Sequence, residues 1–475
     1  MTTKAKIFRD TITVNSASMI EKVFFFVINI IIARYLSVEH FGEYSTALSY
    51  ATFFSFLTDI GINGALIRAL NLEKQYENEH FTNAFYLKIS LSVIVYSLMA
   101  FSLFWTGYNR DVINLTLILG LVRIGNEFMR TYYAVDEARQ QFIFPSVVNS
   151  IYVLLFFAGV VAVILFKGNY YHICLVRLVV VYFFIFFLTA NIFKKIKFTF
   201  KKNLCKSFIK QVVPFAIISV LSNLTFIINP IIISFILGTT KVGFFNNSIV
   251  FIDTLAIIPI NLRRILMPAL YTALEEKDES KFQFSFDIMS KYFGIVSFYI
   301  MLILFLYSDF IVTLIFGKKY IESAYILKIL SLATPFLFNI ASIILTGKDR
   351  QDIFARIMIV ATIVNIFANI IFIHLFDVKG AAIAVVLIYA LIFFMSHYYL
   401  RKLEKIKMVP AFRKYLHMGA IVFVSCLLFE ILSYKNLNIY SLFIVVTLTY
   451  GLLSIAFLMD RDDLRIIKQT VGLKS

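Results

Sequence analysis

DVINLTLILGLVRIGNEFMRTYYA, residues 111–134, is long and apolar enough to cross a hydrocarbon core of about 30 Å, yet charges sit inside it. Arg123, Glu127 and Arg130 follow an i, i+4, i+7 spacing that puts them on one helical face, with Asn126 beside them. A charge at the centre of a membrane helix costs about 2.5–3.5 kcal/mol on insertion scales. Such groups face a bundle interior or a watery cavity and mark a pathway. An ion pair that merely locks helices together is the simpler alternative. Glu127 can neutralise one arginine but not both, which favours a membrane transporter with a cation-lined cavity.

The rest of the chain repeats this apolar pattern. Of its 475 residues, 60% are hydrophobic and 15% charged, against about 25% charged in soluble proteins. Apolar blocks of about 20 residues recur, and about fourteen of them are expected to span, giving an all-α polytopic membrane protein. They begin near Ile12, Gly42, Asn83, Val112, Phe142, Tyr171, Val212, Gly243, Ile288, Ala324, Ile353, Gly380, Lys414 and Tyr440. The first block, Ile12 to Ala33, is too long for a signal-peptide core and no small-residue cleavage site follows it, so it is expected to span. Cys174, Cys205 and Cys426 are scattered, with neither metal-ligand spacing nor a disulfide framework, and no cofactor is expected. The net charge of +17 would suit nucleic acid, but the basic residues cluster in short loops between apolar blocks, which is a topology signal. With the N-terminus cytoplasmic, inner loops and tails hold about thirty Lys and Arg and outer loops about eight. Both termini are therefore expected inside.

FKKIKFTFKKNLCKSFIKQ, Phe193 to Gln211, carries seven lysines interleaved with Phe and Ile. It reads as an interfacial segment on anionic headgroups, with partner docking as the alternative, and as a linker between two halves. A weak repeat supports that division. YLSVEHFGEYSTALS from Tyr35 resembles FILGTTKVGFFNNSI from Phe235, pairing Leu36 with Leu237 and Gly42 with Gly243. EARQQFIF from Glu137 resembles KDRQDIFA from Lys348. The expected organisation is an N-terminal lobe over 1–192, a cytoplasmic basic linker over 193–211 and a C-terminal lobe over 212–400. Two further helices and a tail follow over 401–475. Six spans per repeat give both lobes one orientation, about an axis along the membrane normal.

Polar stripes run through several segments. The second carries Ser45, Ser49, Thr52, Asp59 and Asn63; the eighth carries Asn246, Asp253 and Arg264; the first carries Asn15, Ser18, Lys22 and Asn29. Single polar residues are ordinary interhelical glue, but continuous charged stripes read as walls of a solvated cavity. Arg123 and Lys22 lie near mid-membrane, Lys88 in the inner part of segment three, and Arg130, Arg263, Arg264 and Arg68 progressively nearer the cytoplasm. Arg177 lies nearer the outside. Helix-end snorkelling is the plain alternative for Arg68, Arg263 and Arg264. A basic path repels cations and draws phosphate or diphosphate, which the arginine fork suits. The expected substrate-binding residues are Lys22, Asn63, Arg68, Arg123, Asn126, Arg130 and Arg264. Glu21, Asp59, Glu127 and Asp253 would balance charge or couple transport to H⁺ or Na⁺. Prolines at 230, 259, 268 and 335 concentrate expected bending in the second half.

RYLSVEHFGEYSTALSYATFFSFLTDIGINGALIRAL, Arg34 to Leu70, resembles the signature of polysaccharide flippases. Their superfamily also holds multidrug antiporters and the lipid II flippase. GKKYIESAYILKILSLATPF, Gly317 to Phe336, resembles the family's loop into its tenth segment. The resemblance implies two lobes around a central cavity and alternating access. It implies a bacterial inner-membrane location and an undecaprenyl-diphosphate-linked oligosaccharide as cargo, moved from the inner to the outer leaflet. It also implies a role in O-antigen, capsule or exopolysaccharide assembly, with a polysaccharide polymerase as working partner. Two rivals stand beside it. A multidrug antiporter of the same fold would want an acidic cavity. A membrane polymerase or glycosyltransferase would want a sizeable outer domain or an acidic catalytic motif, and every outer loop here is short.

Overall fold

The structure is a computed structural model that describes residues 3–194, 196–256, 258–259, 279–347, 350–404, 409–435 and 437–459. Among the described residues all regular structure is helical. Ten helical segments are long and apolar enough to cross a membrane, and an eleventh results if the bent pair Lys318–Ser331 and Thr334–Thr346 is one span. The all-α, many-spanned architecture is as expected, while about fourteen spans are not reached among the described residues.

The helices in chain order are α1 (Thr3–Tyr35), α2 (Val38–Asp59), α3 (Ile62–Leu72), α4 (Glu77–Ser102), α5 (Arg110–Ala138), α6 (Ile143–Leu165), α7 (Tyr170–Ile192), α8 (Lys202–Leu237) and α9 (Thr239–Leu255). They continue with α10 (Glu279–Leu306), α11 (Ser308–Phe316), α12 (Ile321–Ser331), α13 (Thr334–Leu337), α14 (Ile340–Gly347), α15 (Gln351–Phe376), α16 (Val378–Glu404), α17 (Val409–Tyr434) and α18 (Ile439–Leu458). At 33 and 36 residues, α1 and α8 exceed the length of about 20 residues that a crossing needs.

The chain forms two compact units. The first comprises Met1–Thr254, Ile315–Ser323 and Met358–Ala384; the second comprises Leu255–Leu314, Ala324–Ile357 and Val385–Ser475. In the first unit α2 packs most extensively on α5, α1 on α6, and α5 on α7. Glycines allow a close approach of α2 to the start of α9. A Cβ on Gly42 of α2 would stand 2.5 Å from the carbonyl oxygen of Thr239, and one on Gly243 of α9 would stand 3.1 Å from Gly42 Cα. The two glycines paired by the sequence repeat thus lie against each other. An amide set joins α8 to α15: Asn365 and Asn369 both donate to Asn229 Oδ1, at 2.7 and 3.0 Å. In the second unit α10, α17 and α18 enclose a core of Leu302, Met418, Ile421, Val422, Val446, Tyr450 and Leu458.

The basic linker differs from a segment lying free on headgroups. Backbone amides of Lys197 and Thr199 donate to Asn78 Oδ1 and Thr82 Oγ1 at 2.9 and 3.1 Å, strapping the linker to the start of α4. Ile196 is buried, and Phe198 packs edge-on against Phe81 and Phe85. Its lysines at 194, 197, 201 and 206 remain exposed. Ile196 and Phe198 therefore serve the chain's own helices, while Phe193, Phe200 and Ile209 stay exposed beside the lysines, a division that alternation alone does not show.

Bending is not confined to the second half. The chain bends by 53° between Lys318–Ser331 and Thr334–Thr346, with Pro335 in the first turn of α13, whereas Pro230 lies inside α8. Pro268 lies outside the described residues. The first half breaks without proline, at Ile60 and Gly61, which adopt φ of 30° and 82° and separate α2 from α3. Glycine enters the left-handed region freely and ends helices there.

Candidate functional site

The break at Ile60–Gly61 shapes the site. Asp59 ends α2, and its carboxylate Oδ1 accepts the backbone N–H of Asn63 at 3.4 Å, in the first turn of α3. A polar stripe that would have continued along one straight helix is instead gathered at a corner. Into this corner α4 sends Lys88, fully buried. Its Nζ donates to Asp59 Oδ1, Thr131 Oγ1 and the carbonyl oxygen of Glu127, each at 2.8 Å, and to Asn63 Oδ1 at 3.3 Å. The Thr131 hydroxyl in turn donates to Asn63 Oδ1 at 3.0 Å. Glu127 Oε2 stands 3.9 Å from Lys88 Nζ, and Glu127 Oε1 3.5 Å from Arg130 Nη1. Two cations thus meet two carboxylates, and the cluster is formally neutral. Burying these charges is tolerable only because each is paired and hydrogen-bonded.

The cluster continues toward α1. Glu21 is half-buried, facing Asn149, Lys22 and Arg130. Lys22 is exposed and faces Glu21 and, on α9, the exposed Asp253. Arg130 is exposed, with 63% of its side chain accessible. Asn126 is half-buried on α5. The structure therefore brings together Glu21, Lys22, Asp59, Asn63, Glu127, Arg130 and Asp253. Arg68 is exposed on α3, and among the described residues no hydrogen bond or ion pair joins it to the cluster. Arg264 lies outside the described residues.

Arg123 belongs to a different setting, one turn before Glu127 on α5. Its neighbours are Arg177, Tyr152, Tyr44 and Arg130; Glu127 acts on it electrostatically, but no carboxylate among the described residues forms an ion pair with it within 4 Å, and its Nε has no hydrogen-bond partner among them. Arg177, on α7, is buried and donates to the Tyr44 hydroxyl at 3.5 Å. Its guanidinium faces the ring of Phe156 at 5.2 Å and that of Phe25 at 6.0 Å. The Arg177 Nε is also unpartnered among the described residues. Two neighbouring guanidiniums held by hydroxyls and rings retain donors for an anion.

Three participants were missing from the sequence-based site: Lys88, Thr131 and Arg177. Lys88 and Arg177 carry the same signal as Arg123, a charge inside an apolar segment, and the sequence places both on the basic path without assigning either to the substrate-binding set. Thr131 carried no signal, since a lone threonine is common in membrane helices. Among the described residues no cluster of His, Cys, Asp and Glu could hold a metal ion.

Solved structures share this fold. The lipid II flippase MurJ, in an inward closed conformation, matches 94% of this chain and 98% of its own, with a TM-score of 0.75 and 16% identity. An inward-facing multidrug resistance MATE family transporter of the MOP superfamily matches 87% of this chain and 98% of its own, with a TM-score of 0.60 and 14% identity. A MOP superfamily transporter from Pyrococcus furiosus, described as having a binding pocket of reversed polarity, matches 88% of this chain at TM-score 0.55 and 12% identity, over 95% of its own length. At such identities the likeness is one of fold. No curated protein matches the chain. The family described as polysaccharide biosynthesis protein matches residues 31–325, a span holding every described candidate residue except Glu21 and Lys22, and the chain belongs to that family.

Proposed function

We propose that this protein is a flippase that carries an undecaprenyl-diphosphate-linked oligosaccharide from the inner to the outer leaflet of the bacterial inner membrane by alternating access. One observation carries the reading: Arg123 and Arg177 are neighbours within the helical bundle, with free guanidinium donors and no carboxylate paired to either. A diphosphate is the cargo group that such donors would hold, because charge-assisted hydrogen bonds to phosphate are strong where water is scarce. Arg130, Lys22 and Asn126 extend the polar lining toward the sugars, and Arg68 would receive the headgroup on the cytoplasmic side. Of the acids Glu21, Asp59, Glu127 and Asp253, Asp59 and Glu127 pair with Lys88, and Glu21 and Asp253 are the ones available for coupling to H⁺ or Na⁺. Both termini face the cytoplasm, and a polysaccharide polymerase consumes the delivered unit.

The test is export in the native host. Arg123→Ala should abolish surface glycan while the protein remains in the membrane, and lipid-linked oligosaccharide should accumulate on the inner leaflet. Arg123→Lys should keep part of the activity, because the charge stays and the fork is lost. Full export by Arg123→Ala, or drug efflux without glycan export by the wild type, would remove this reading.

A further inference from the structure

The Lys88 ammonium sits in an environment richer than a salt bridge requires. Four oxygens of four chemical kinds converge on it: a carboxylate from Asp59, a side-chain amide from Asn63, a backbone carbonyl from Glu127 and a hydroxyl from Thr131. A second carboxylate oxygen, Glu127 Oε2, stands behind them at 3.9 Å and has no hydrogen-bond partner among the described residues. An ammonium has three protons, so it cannot serve all of these acceptors with separate bonds. More oxygens than protons, drawn from carboxylate, carbonyl and hydroxyl, is the ligand set that hard metal cations take. Those ligands lie on two helices that meet at the Ile60–Gly61 corner and on α5, while the cation arrives from α4 on a flexible stem.

We infer that Lys88 is a tethered cation filling a monovalent-metal cage, and that this chain carries in its backbone-anchored ammonium the positive charge that Na⁺ would otherwise supply at this corner. The cage is therefore occupied at all times and takes no ion from solution. Asp59 and Glu127 are held as counter-charges to Lys88, which leaves Glu21 and Asp253 as the acids free to exchange a coupling ion. A dissolved cation enters only when the lysine is removed. The inference rests on the geometry around Lys88 and needs no assumption about cargo.

Thermal unfolding of the purified full-length protein in detergent tests it, in NaCl and in choline chloride at equal ionic strength. Lys88→Ala should unfold earlier than wild type in choline and regain stability in NaCl. Its Na⁺-over-choline gain should exceed that of wild type by at least about 2 °C. Ammonium chloride should restore it as well, since the free ion can occupy the vacated place. Lys88→Met, whose terminal methyl fills the cage, should gain nothing beyond wild type. Asp59→Asn added to Lys88→Ala should erase the gain. Equal gains for wild type and Lys88→Ala overturn the inference. So does a Lys88→Ala protein that fails to fold in NaCl, or a gain that survives Asp59→Asn. Because no transport is measured, these outcomes leave the flippase reading untouched, and loss of export in the Arg123 variants leaves this one untouched.

Discussion

Replacing Gly42 with alanine would place a methyl carbon 2.5 Å from the Thr239 carbonyl oxygen and 2.8 Å from Thr240 Cα. An ordinary C···O approach is about 3.3 Å or more, so the start of α9 would have to retreat by close to an ångström. Both obstructing groups are backbone, and no rotamer change relieves them. Overpacking of this kind costs about 1–3 kcal/mol, and a backbone obstacle puts Gly42→Ala near the upper figure. Alanine is a better helix former than glycine by about 1 kcal/mol, which offsets part of it. A net loss of about 2 kcal/mol remains. The repeat mate gives an internal control: a Cβ on Gly243 meets Gly42 Cα at 3.1 Å, so a retreat of a few tenths of an ångström suffices. Gly243→Ala should therefore be near neutral once the helix gain is included. The assay is the unfolding midpoint of each purified variant, read with chromatographic monodispersity. A Gly42→Ala protein as stable as wild type, or a Gly243→Ala protein that is the less stable of the two, would refute the argument from close approach.

Four other outcomes follow from the site. Asp59→Asn leaves the buried Lys88 charge short of its nearest anion and should cost about 3–5 kcal/mol, with Asp59→Asn/Lys88→Met recovering a large part; a double variant no better than Asp59→Asn in denaturation would contradict this. Ile60 is a β-branched residue in the left-handed region, so Ile60→Gly should raise the unfolding midpoint by relieving strain of about 1–2 kcal/mol, and a lower midpoint would show the side chain's packing to matter more. Gly61→Ala should do the reverse, losing about 1–2 kcal/mol at φ 82°, measured the same way. Lys201 lies outside the membrane-spanning segments, just before α8, and the hydrogen bond to Glu79 at 2.7 Å holds its ammonium above the usual lysine range. A raised lysine contributes its stabilisation below the unfolded-state value and loses it as pH climbs through the folded one. Glu79→Gln should bring the Lys201 titration down in an NMR experiment on isotope-labelled lysine, and an unchanged titration would dissociate the pair.

How much of this was legible before the fold was known depended on the kind of signal. Apolar blocks declare membrane helices because nothing else tolerates them, so the all-α class followed from composition and period. Charges inside those blocks declared Arg123, Glu127 and Arg130 for the same reason. The partners of those charges were not legible. Periodicity places Asp59 and Asn63 on one stripe, but it does not show the break at Ile60–Gly61 between them or that Lys88 reaches both. Likewise the lysine-rich linker reads as lipid-facing from alternation alone, while its backbone bonds to Asn78 and Thr82 come from tertiary packing.

The same packing divides the cations of the first unit into two kinds that composition treats alike. Lys88 and Arg130 have carboxylates within 4 Å and serve charge balance. Arg123 and Arg177 sit beside each other without one, and like charges in a low-dielectric setting repel. Keeping two such groups adjacent costs stability, and the Tyr44 hydroxyl and the Phe25 and Phe156 rings offset only part of it. An anion placed between them would turn the repulsion into attraction. On the proposed reading that anion is the diphosphate, so its arrival should stabilise the protein and its removal should not. Titrating inorganic diphosphate into the purified chain should therefore raise the unfolding midpoint of the wild type. Arg123→Ala and Arg177→Ala should each lose most of that rise, whereas Arg130→Ala, whose charge is already met by Glu127, should keep most of it. A rise lost equally in all three variants would mean that net charge, not the unpaired pair, recognises the anion.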